Sequence, residues 1–549
     1  MTYDLKRRLT LTAAAVAFCA LPMAAYADVL VAKAADPTEQ SDGTMSAAAR
    51  AAMVRGALPK SAAEVSAKAA ATSASEQALA AAPLAPSGAA AGGGSEGPLA
   101  TVFGGLNFAG QFNATSTPPD TTGAIGTTRY IELVNTRYGI YNRTNGALIN
   151  SGTLNQLAGL ASTVNTFDPQ IIWDAQTNRF YYVNDSIFCG GGPCGAEDNR
   201  LSWGFSKTAS PANGTSTHWC KYTTAFGARF PDYPKLGDSQ HFLIVGVNSF
   251  APNFVGSDII SFSKPPAGTT CPAGSSFKIN RVTNLIDSFT PVPSNQIDLS
   301  ATGYVVARNL GLPSTRLWFR NVTRNATTGF AVYGARRAAT VASYTFPPNA
   351  PAGTTGTRTL DTLDARPTQA VQSINRDRGT FSFWVQHTIA AGAVSGVRWY
   401  EFNPVPNVPV RLRQGIISAS PSFLFNAAIS SDRRVRSGFA STFGDSFVVH
   451  YSVTRRGLIN PRITAGSSFN GALVGGFVNL HTSSAPYVDF SCAGASSTCR
   501  WGDYAGANPD PVIPATTDRG IVWGANQFGS GGQSTAGANW RTKIFALKP

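Results

Sequence analysis

Short runs of β-branched and aromatic residues, several of them preceded by an aspartate, recur along this chain and limit the folds open to it. Four segments, 118–123, 167–174, 230–237 and 499–511, place an acid just ahead of an apolar run. We interpret the four acids as equivalent positions of a degenerate repeat: Asp120, Asp168, Asp232 and Asp503. Self-similarity of this kind indicates a fold assembled from one repeated supersecondary unit.

From about Val102 onward the apolar runs are short and are separated by Gly, Pro, Asn and Asp, which is typical of all-β proteins. The predicted strands are 129–135, 139–142, 171–174, 179–184, 201–206, 241–248, 258–263, 303–308, 317–322, 380–387, 396–402, 445–453, 520–526 and 540–547.

The turns between these runs, such as 174–179 and 375–380, read as hairpin turns. A single sandwich does not accommodate so many hairpins, and a repeat of about 60 residues favours a β-propeller. A right-handed β-helix is the alternative, but its short regular coil repeat is missing. Seven blades are predicted, with six or eight also compatible, and the seven predicted starts lie near Asp120, Asp168, Asp232, Ser294, Gln369, Phe425 and Asp503.

The N-terminus has the features of an export signal. Lys6, Arg7 and Arg8 precede an apolar run at 9–21, and small residues follow at 25–27. We expect cleavage near Ala27 and a secreted or periplasmic protein, with a twin-arginine route left open. The predicted division is a signal peptide at 1–27, an Ala/Gly/Ser-rich linker or propeptide at 28–99, and a β-propeller at 100–549. We expect the linker to add nothing to the fold, and no later run is long enough to span a membrane.

Six cysteines remain after the signal peptide, an even number that favours disulfides in an oxidising compartment. Proximity in the sequence suggests two pairs, and elimination leaves the third. The predicted pairs are Cys189 with Cys194, Cys492 with Cys499, and Cys220 with Cys271. Zinc is the alternative, but no Cys-x-x-Cys with partner histidines is present.

The chain carries a formal net charge of +14, and beyond residue 100 most of the basic side chains are arginine. Arginine suits carboxylate or phosphate partners, so a polysaccharide, possibly an acidic one, or an anionic envelope surface is an expected partner. An arginine-rich surface that serves solubility alone is the other interpretation. No nucleic-acid-binding motif is present, and we expect a monomer without nucleic-acid partners.

The segments 118–126, 168–174, 232–237 and 500–504 together resemble a group of exported bacterial β-propeller proteins that are mostly uncharacterised and loosely called sialidase-like. The resemblance covers about residues 100–549 and implies the fold. Sialidases repeat a Ser-x-Asp-x-Gly-x-x-Trp box, whereas this chain offers a single degenerate copy at 375–381. The sialidase arginine triad and Tyr/Glu pair have no matching positions here, and reaction type is therefore not implied.

In a propeller, residues just before the innermost strands gather around one mouth of the channel. Asp120, Asp168, Asp232 and Asp503 are therefore candidate catalytic acids, because crowded carboxylates raise one another's pKa, as a general acid requires. The same oxygens are a possible Ca²⁺ site. Alternatively, each acid caps its own turn by accepting bonds from backbone N–H groups.

Neighbouring side chains complete the predicted site. Trp501 and Tyr504 flank Asp503 as a possible sugar-stacking platform, and Trp501 as inter-blade core is the alternative. The candidate ligand-binding residues are Trp501, Tyr504, Tyr233, Arg366 and Arg500. Glutamate is scarce beyond residue 100, so carboxylate chemistry falls on aspartate, and most of the histidines are expected in the core.

These features predict an exported glycan-binding propeller with its ligand at the channel mouth. A glycosidase or polysaccharide lyase at the same mouth is one alternative, and an envelope protein-interaction scaffold is another. Fold alone does not choose among them, because propellers serve all three functions.

Overall fold

The computed structural model describes residues 27–38, 62–81, 100–188, 198–251, 253–469, 474–493, 497–513, 517–532 and 534–549. Within these ranges the chain is built almost wholly from antiparallel meanders whose strands follow one another in sequence. The prediction of an all-β propeller is confirmed. We number the seven meanders of the described residues as blades 1 to 7, each with its inner strand first.

Blades 1 to 3 are formed by the first half of the propeller, and one short helix, Leu154–Ala158, connects blades 1 and 2. Their strands are Thr122–Ile125, Arg129–Val134, Arg137–Asn142 and Leu148–Thr153 in blade 1; Asn165–Asp174, Arg179–Ile187, Asn199–Ser206 and Trp219–Gly227 in blade 2; and Phe230–Asp238, Phe242–Phe250, Phe254–Ser263 and Ile279–Leu285 in blade 3.

Blades 4 to 7 follow the same order. Their strands are Ser288–Gln296, Gly303–Asn309, Ser314–Arg324, Ala331–Tyr333 and Arg337–Tyr344 in blade 4; Pro367–Asn375, Thr380–Ala391, Val394–Asn403 and Val410–Ile417 in blade 5; Phe423–Ser431, Phe447–Arg455, Ile459–Ser468 and Gly475–Thr482 in blade 6; and Gly506–Pro509, Val522–Gly529, Trp540–Lys548 and Thr101–Ala109 in blade 7. A small sheet of Ala350–Pro351, Thr359–Leu360 and Thr498–Cys499 lies beside them.

The ring closes through strands from the two ends of the propeller. Thr101–Ala109 is the outermost strand of blade 7 and pairs antiparallel with Trp540–Lys548. Each inner strand also neighbours the inner strand of the next blade, and that of blade 7 neighbours that of blade 1. The inner strands therefore surround a central channel, as expected of a propeller.

Apolar cores fill the spaces between consecutive blades. Between blades 2 and 3, for example, Trp203 is 1% exposed and stacks on Tyr222 and Phe262. Comparable clusters lie between blades 1 and 2, 4 and 5, 5 and 6, and 6 and 7. Blades are thus held face to face by burial of aromatic and aliphatic side chains, the main favourable term in folding.

Acids near the C-terminal ends of inner strands connect different blades. Each accepts hydrogen bonds from an arginine, a lysine or backbone N–H groups of another blade. The contacts include Lys264 Nζ to Asp174 at 2.6 Å and Asp238 at 2.7 Å, the Gln296 N–H to Asp238 at 2.7 Å, Arg433 Nη2 to Asp298 at 2.8 Å, the Gly520 N–H to Asp432 at 3.1 Å, and Arg143 Nη2 to Asp510 at 2.7 Å. The acids at this end of the channel are therefore ion-paired or hydrogen-bonded to backbone N–H groups.

The N-terminal arm contributes to the fold, contrary to expectation. Strands Ala27–Leu30 and Ala32–Ala34 pair with the outer edges of blades 3 and 2. An α-helix, Ala62–Ala81, lies on blades 4 and 5, where its polar residues are partly buried. Its contacts are Glu64 with Arg308 at 2.8 Å, Lys68 with Asp361 and the Leu363 carbonyl, Ser75 with the Ala393 carbonyl, and Thr72 with the Asn349 N–H at 3.0 Å. This docking could not be predicted from the alanine-rich composition, because the helix contacts the blades through a few polar side chains rather than through an apolar face.

Two of the three predicted disulfides are present, and they join Cys220 to Cys271 and Cys492 to Cys499. Cys189 and Cys194 lie outside the described residues, as does the predicted signal peptide up to residue 26. No described helix has the length and apolar character needed to cross a membrane.

Docking of the helix predicts a stability effect. Glu64→Gln should lower the melting temperature by a few degrees, because the fully buried Arg308 loses a charged partner that is worth about 1.5–3 kcal/mol. Glu76→Gln on the exposed side of the same helix is the matched control and should melt like the wild type. Differential scanning calorimetry measures both. Equal melting of the two variants would contradict a docked helix.

Candidate functional site

The starts of several inner strands share a left-handed backbone conformation. The φ angles are 47° at Asp120, 51° at Asp168, 61° at Tyr233, 56° at Thr290 and 48° at Asn426. In blades 2, 3, 4 and 6 these residues lie in a β-bulge that shifts the register against the second strand. Left-handed backbone is unusual for residues other than glycine and is held by its surroundings.

This geometry corrects the predicted repeat. Asp120 and Asp168 occupy equivalent positions, but Asp232 lies one residue before the equivalent residue, which is Tyr233. Thr290 and Asn426 also belong to the repeat, although neither is an acid. The recurring element is therefore a bulge, and only some of its copies carry a carboxylate.

Hydrogen bonds join the mouth ends of blades 7, 1 and 2. The Asp503 N–H donates to Asp120 Oδ1 at 2.9 Å, and Asn135 Nδ2 donates to Asp120 Oδ2 at 2.5 Å. The Asp168 N–H donates to Asn135 Oδ1 at 2.8 Å. Asp120 is 2% exposed and accepts hydrogen bonds from two blades, so it joins blades 7 and 1 rather than capping its own turn.

The four predicted acids converge at this mouth and affect one another's charge. Burial raises the pKa of Asp120 well above its usual range, and Asp503 and Asp168 raise it further. Burial and then Asp232 and Asp503 raise the pKa of Asp168 to about 7. Burial also raises the pKa of Asp232 to about 7, with Arg366 opposing this and Asp503 adding to it. The structure thus brings together the acids that the sequence analysis selected.

Asp232 and Asp503 differ in how they are held. The Asp503 carboxylate pairs with Arg500 Nη2 at 2.5 Å. Among the described residues, the Asp232 carboxylate accepts no hydrogen bond and forms no ion pair within 4.0 Å. Both residues, like Asp168, are partly exposed. Asp232 is therefore the carboxylate most open to a new partner.

Two tyrosines and a lysine fill the space between the acids. The rings of Tyr233 and Tyr504 are 4.7 Å apart, and Tyr504 donates its hydroxyl to Asp168 Oδ2 at 3.1 Å. Lys235 Nζ lies 3.8 Å from the ring centroid of Tyr233 and 3.4 Å from that of Tyr504. Burial lowers the pKa of Lys235 well below its usual range, while Asp503 and Asp120 oppose this. We did not predict Lys235, although it lies two residues after Tyr233 in the repeated segment.

The predicted arginines are at the mouth, but aspartates already engage both. Arg366 is bidentate with Asp364, at 2.7 Å from Nε and 2.6 Å from Nη2, and its guanidinium lies 4.7 Å from the Tyr233 ring centroid. Arg500 pairs with Asp503. Neither guanidinium is presented as a free clamp for an anion.

A fifth acid that was not predicted, Asp185, lies on the second strand of blade 2. It is fully buried, and neither carboxylate oxygen has a hydrogen-bond partner among the described residues. Burial raises its pKa well above the usual range, and the charges of Asp168 and Asp232 raise it further. An acid inside the apolar strand Arg179–Ile187 was the available signal.

Trp501 corrects the predicted sugar-stacking platform. Its side chain is 1% exposed, packs near Phe425 and Tyr487, and donates its indole N–H to Ser452 Oγ at 2.9 Å. It is core, which was the alternative interpretation. His387 and His450 are also buried and hydrogen-bonded, as expected of core histidines.

The described residues do not gather the mouth acids as metal ligands. The one group of three or more candidate ligands within 4.8 Å is Asp489, Cys492 and Cys499, and its cysteines form a disulfide. The possible Ca²⁺ site therefore finds no preformed cage in the described mouth.

Neither a protein-family model nor a curated protein matches the sequence. Similar solved structures include a Hadza microbial sialidase (8% identity, 60% of this chain and 62% of that chain, TM-score 0.34) and an exo-β-1,3-galactanase from Clostridium thermocellum (10%, 82% and 96%, 0.32). Drosophila semaphorin 1a is another (6%, 81% and 88%, 0.39). The chain thus spans about three fifths of the sialidase's length. Because these TM-scores are low, the similar structures carry no argument about the function of this chain.

The contrast between Asp120 and Asp232 predicts opposite stability effects. The pKa of Asp232 is raised to about 7 in the folded state. The contribution of this side chain to the stability of the fold is therefore fully present below pH 4 and is lost as the pH rises through about 7. At pH 8, Asp232→Asn should therefore melt at the same or a higher temperature than the wild type, with the difference shrinking toward pH 4. Asp120 also has a raised pKa, but both of its oxygens accept hydrogen bonds, from Asn135 and from the Asp503 N–H. Asp120→Asn should therefore melt lower, because one of the two acceptor oxygens becomes a donor that faces another donor.

Differential scanning fluorimetry from pH 4 to pH 8 measures these effects. Asp377→Asn, in an exposed hairpin turn, is the control and should match the wild type throughout. A lower melting temperature for Asp232→Asn at pH 8 would show that this carboxylate holds the fold.

Proposed function

We propose that this protein is a propeller that binds a glycan at the channel mouth. The observation that carries the proposal is the convergence of carboxylates from blades 1, 2, 3 and 7 beside Tyr233 and Tyr504, with Asp168, Asp232 and Asp503 partly exposed. Sugar hydroxyls pair well with ionised carboxylates, since hydrogen bonds to charged acceptors are stronger than neutral ones. A few convergent polar groups are a usual feature of a small-ligand site.

The charge of the mouth argues against an acidic glycan. Asp364 and Asp503 already neutralise the two arginines, and the remaining acids are in excess over Lys235. A uronate or sialate would meet repulsion here. We therefore favour a glycan without acidic groups, although the chain as a whole carries a net charge of +14.

We also propose that the protein is exported from the cytoplasm. The two described disulfides fit an oxidising compartment such as the periplasm or the extracellular space. Polysaccharides are abundant ligands in both places.

Isothermal titration calorimetry with a panel of oligosaccharides tests the binding function. Asp232→Asn should weaken binding of the best ligand at least about tenfold, a loss of roughly 1.4 kcal/mol, because the most open carboxylate becomes a poorer acceptor. Asp377→Asn should bind like the wild type. Binding that Asp232→Asn leaves unchanged would place the ligand away from this mouth.

Glycoside hydrolysis is the second candidate, favoured by one observation. The pKa values of Asp168 and Asp232 are both raised to about 7, so near neutral pH one can carry a proton while the other is ionised. That is the condition for a general acid beside a base or nucleophile.

Release of reducing ends separates hydrolysis from binding alone. If the mouth is catalytic, the rate should follow a bell-shaped pH profile near neutrality, and Asp168→Asn should lower it about a hundredfold or more. Intact oligosaccharide after prolonged incubation, with binding retained, would leave the protein a binding module.

A further inference from the structure

The mouth contains more acid than the surrounding basic groups can balance. Five aspartates contribute: Asp120, Asp168, Asp185, Asp232 and Asp503. Arg500 is paired with Asp503, and Arg366 is taken up by Asp364. Lys235 is the remaining cation of the described mouth, and it forms no ion pair with a carboxylate within 4.0 Å.

Lys235 is held in a way that keeps it from the unpaired acids. Its ammonium lies against the Tyr233 and Tyr504 rings and donates to the Asp503 backbone carbonyl at 3.4 Å. Cation–π contacts of this kind stabilise an ammonium that is removed from water. The lysine is therefore part of the wall of the site.

Asp185 is a second, independent observation that favours a ligand with hydrogen-bond donors or positive charge at this mouth. Both of its oxygens are buried and lack a hydrogen-bond donor in the described part of the chain. It lies opposite Phe167 in the strand pairing, next to the bulge that carries Asp168. A buried carboxylate without a partner is costly, and proteins offset that cost with a proton or a nearby positive charge.

We propose that the mouth recognises a glycan unit carrying a primary ammonium group, an amino sugar, whose charge lies between Asp168 and Asp232 with Asp185 behind them. This inference rests on the proposed glycan-binding function and names the ligand class. An ammonium substituent and its neighbouring hydroxyls offer several donors to carboxylates that come from different blades. A single metal ion fits less well, because no three of these acids bring oxygens within 4.8 Å of one another in the described residues.

The protein's overall positive charge excludes general electrostatic attraction as the cause of a preference for a cationic ligand. A chain with net charge +14 repels cationic ligands at long range, so a preference for an amino sugar cannot arise from general electrostatic attraction. Any such preference must come from the local carboxylates.

Calorimetric titration with three oligosaccharides of equal length tests the proposal: a glucosamine oligomer, its N-acetylated form and the corresponding glucose oligomer. At pH 7 and low salt, the wild type should bind the glucosamine oligomer at least tenfold more tightly than the other two. Asp232→Asn and Asp185→Asn should each reduce that preference to less than threefold, whereas Asp377→Asn should retain it. Melting curves identify any variant that fails to fold. If Asp185→Asn does not fold, the result for Asp232→Asn alone decides the test.

The outcomes separate this inference from the proposed function. Equal or tighter binding of the N-acetylated or glucose oligomer overturns the ammonium preference but leaves glycan binding standing. Preference for the glucosamine oligomer that survives in Asp232→Asn places the ammonium elsewhere and overturns the proposal. No binding of any of the three, or of a wider glycan panel, removes both.

Discussion

The left-handed bulge at the start of the inner strands is the constraint on which the site depends. A regular strand sends successive side chains to opposite faces, so it cannot aim two neighbouring residues at one channel. A bulge re-aims the side chain and increases the local twist. In blades 2 and 3 it directs Asp168 and Tyr233 to the mouth, where Asp120 of blade 1 joins them. Because Asp and Asn tolerate this backbone better than most residues, the bulge also favours polar side chains there.

The two ends of the inner strands use aspartate in opposite ways. At the far end each acid meets an arginine, a lysine or backbone N–H groups, and several of these contacts join different blades. At the mouth the acids crowd together, and Asp232 and Asp185 lack such partners among the described residues. The same residue type thus stabilises the fold at one end, whereas Asp232 and Asp185 destabilise it at the other. Functional sites commonly keep interactions that lower the stability of the folded protein.

The strands and the convergence of the four acids could be predicted because both depend on local pattern. Alternating apolar runs and turn residues mark each strand, and the predicted blade starts each lie in or just ahead of an inner strand. The pattern could not predict a one-residue offset in strand register, nor which residues distant in the sequence are in contact. The offset of Asp232 from Tyr233 depends on a bulge, the pairing of Arg366 with Asp364 on loop geometry, and the burial of Trp501 on a neighbouring blade. An alanine-rich helix in this region is compatible with the sequence, but its docking on the propeller could not be predicted because its contacts are hundreds of residues away in sequence.

Closure of blade 7 by Thr101–Ala109 and Trp540–Lys548 has a consequence for the order of folding. Hairpins within blades 2 to 6 join residues that are close in the chain and can form early, whereas the closing pair joins segments more than 400 residues apart. The channel mouth, which draws on blades 1, 2, 3 and 7, therefore exists only after that slowest contact is made. Until then its acids are separate and solvated, so the proposed binding site is completed only when the two ends of the propeller pair.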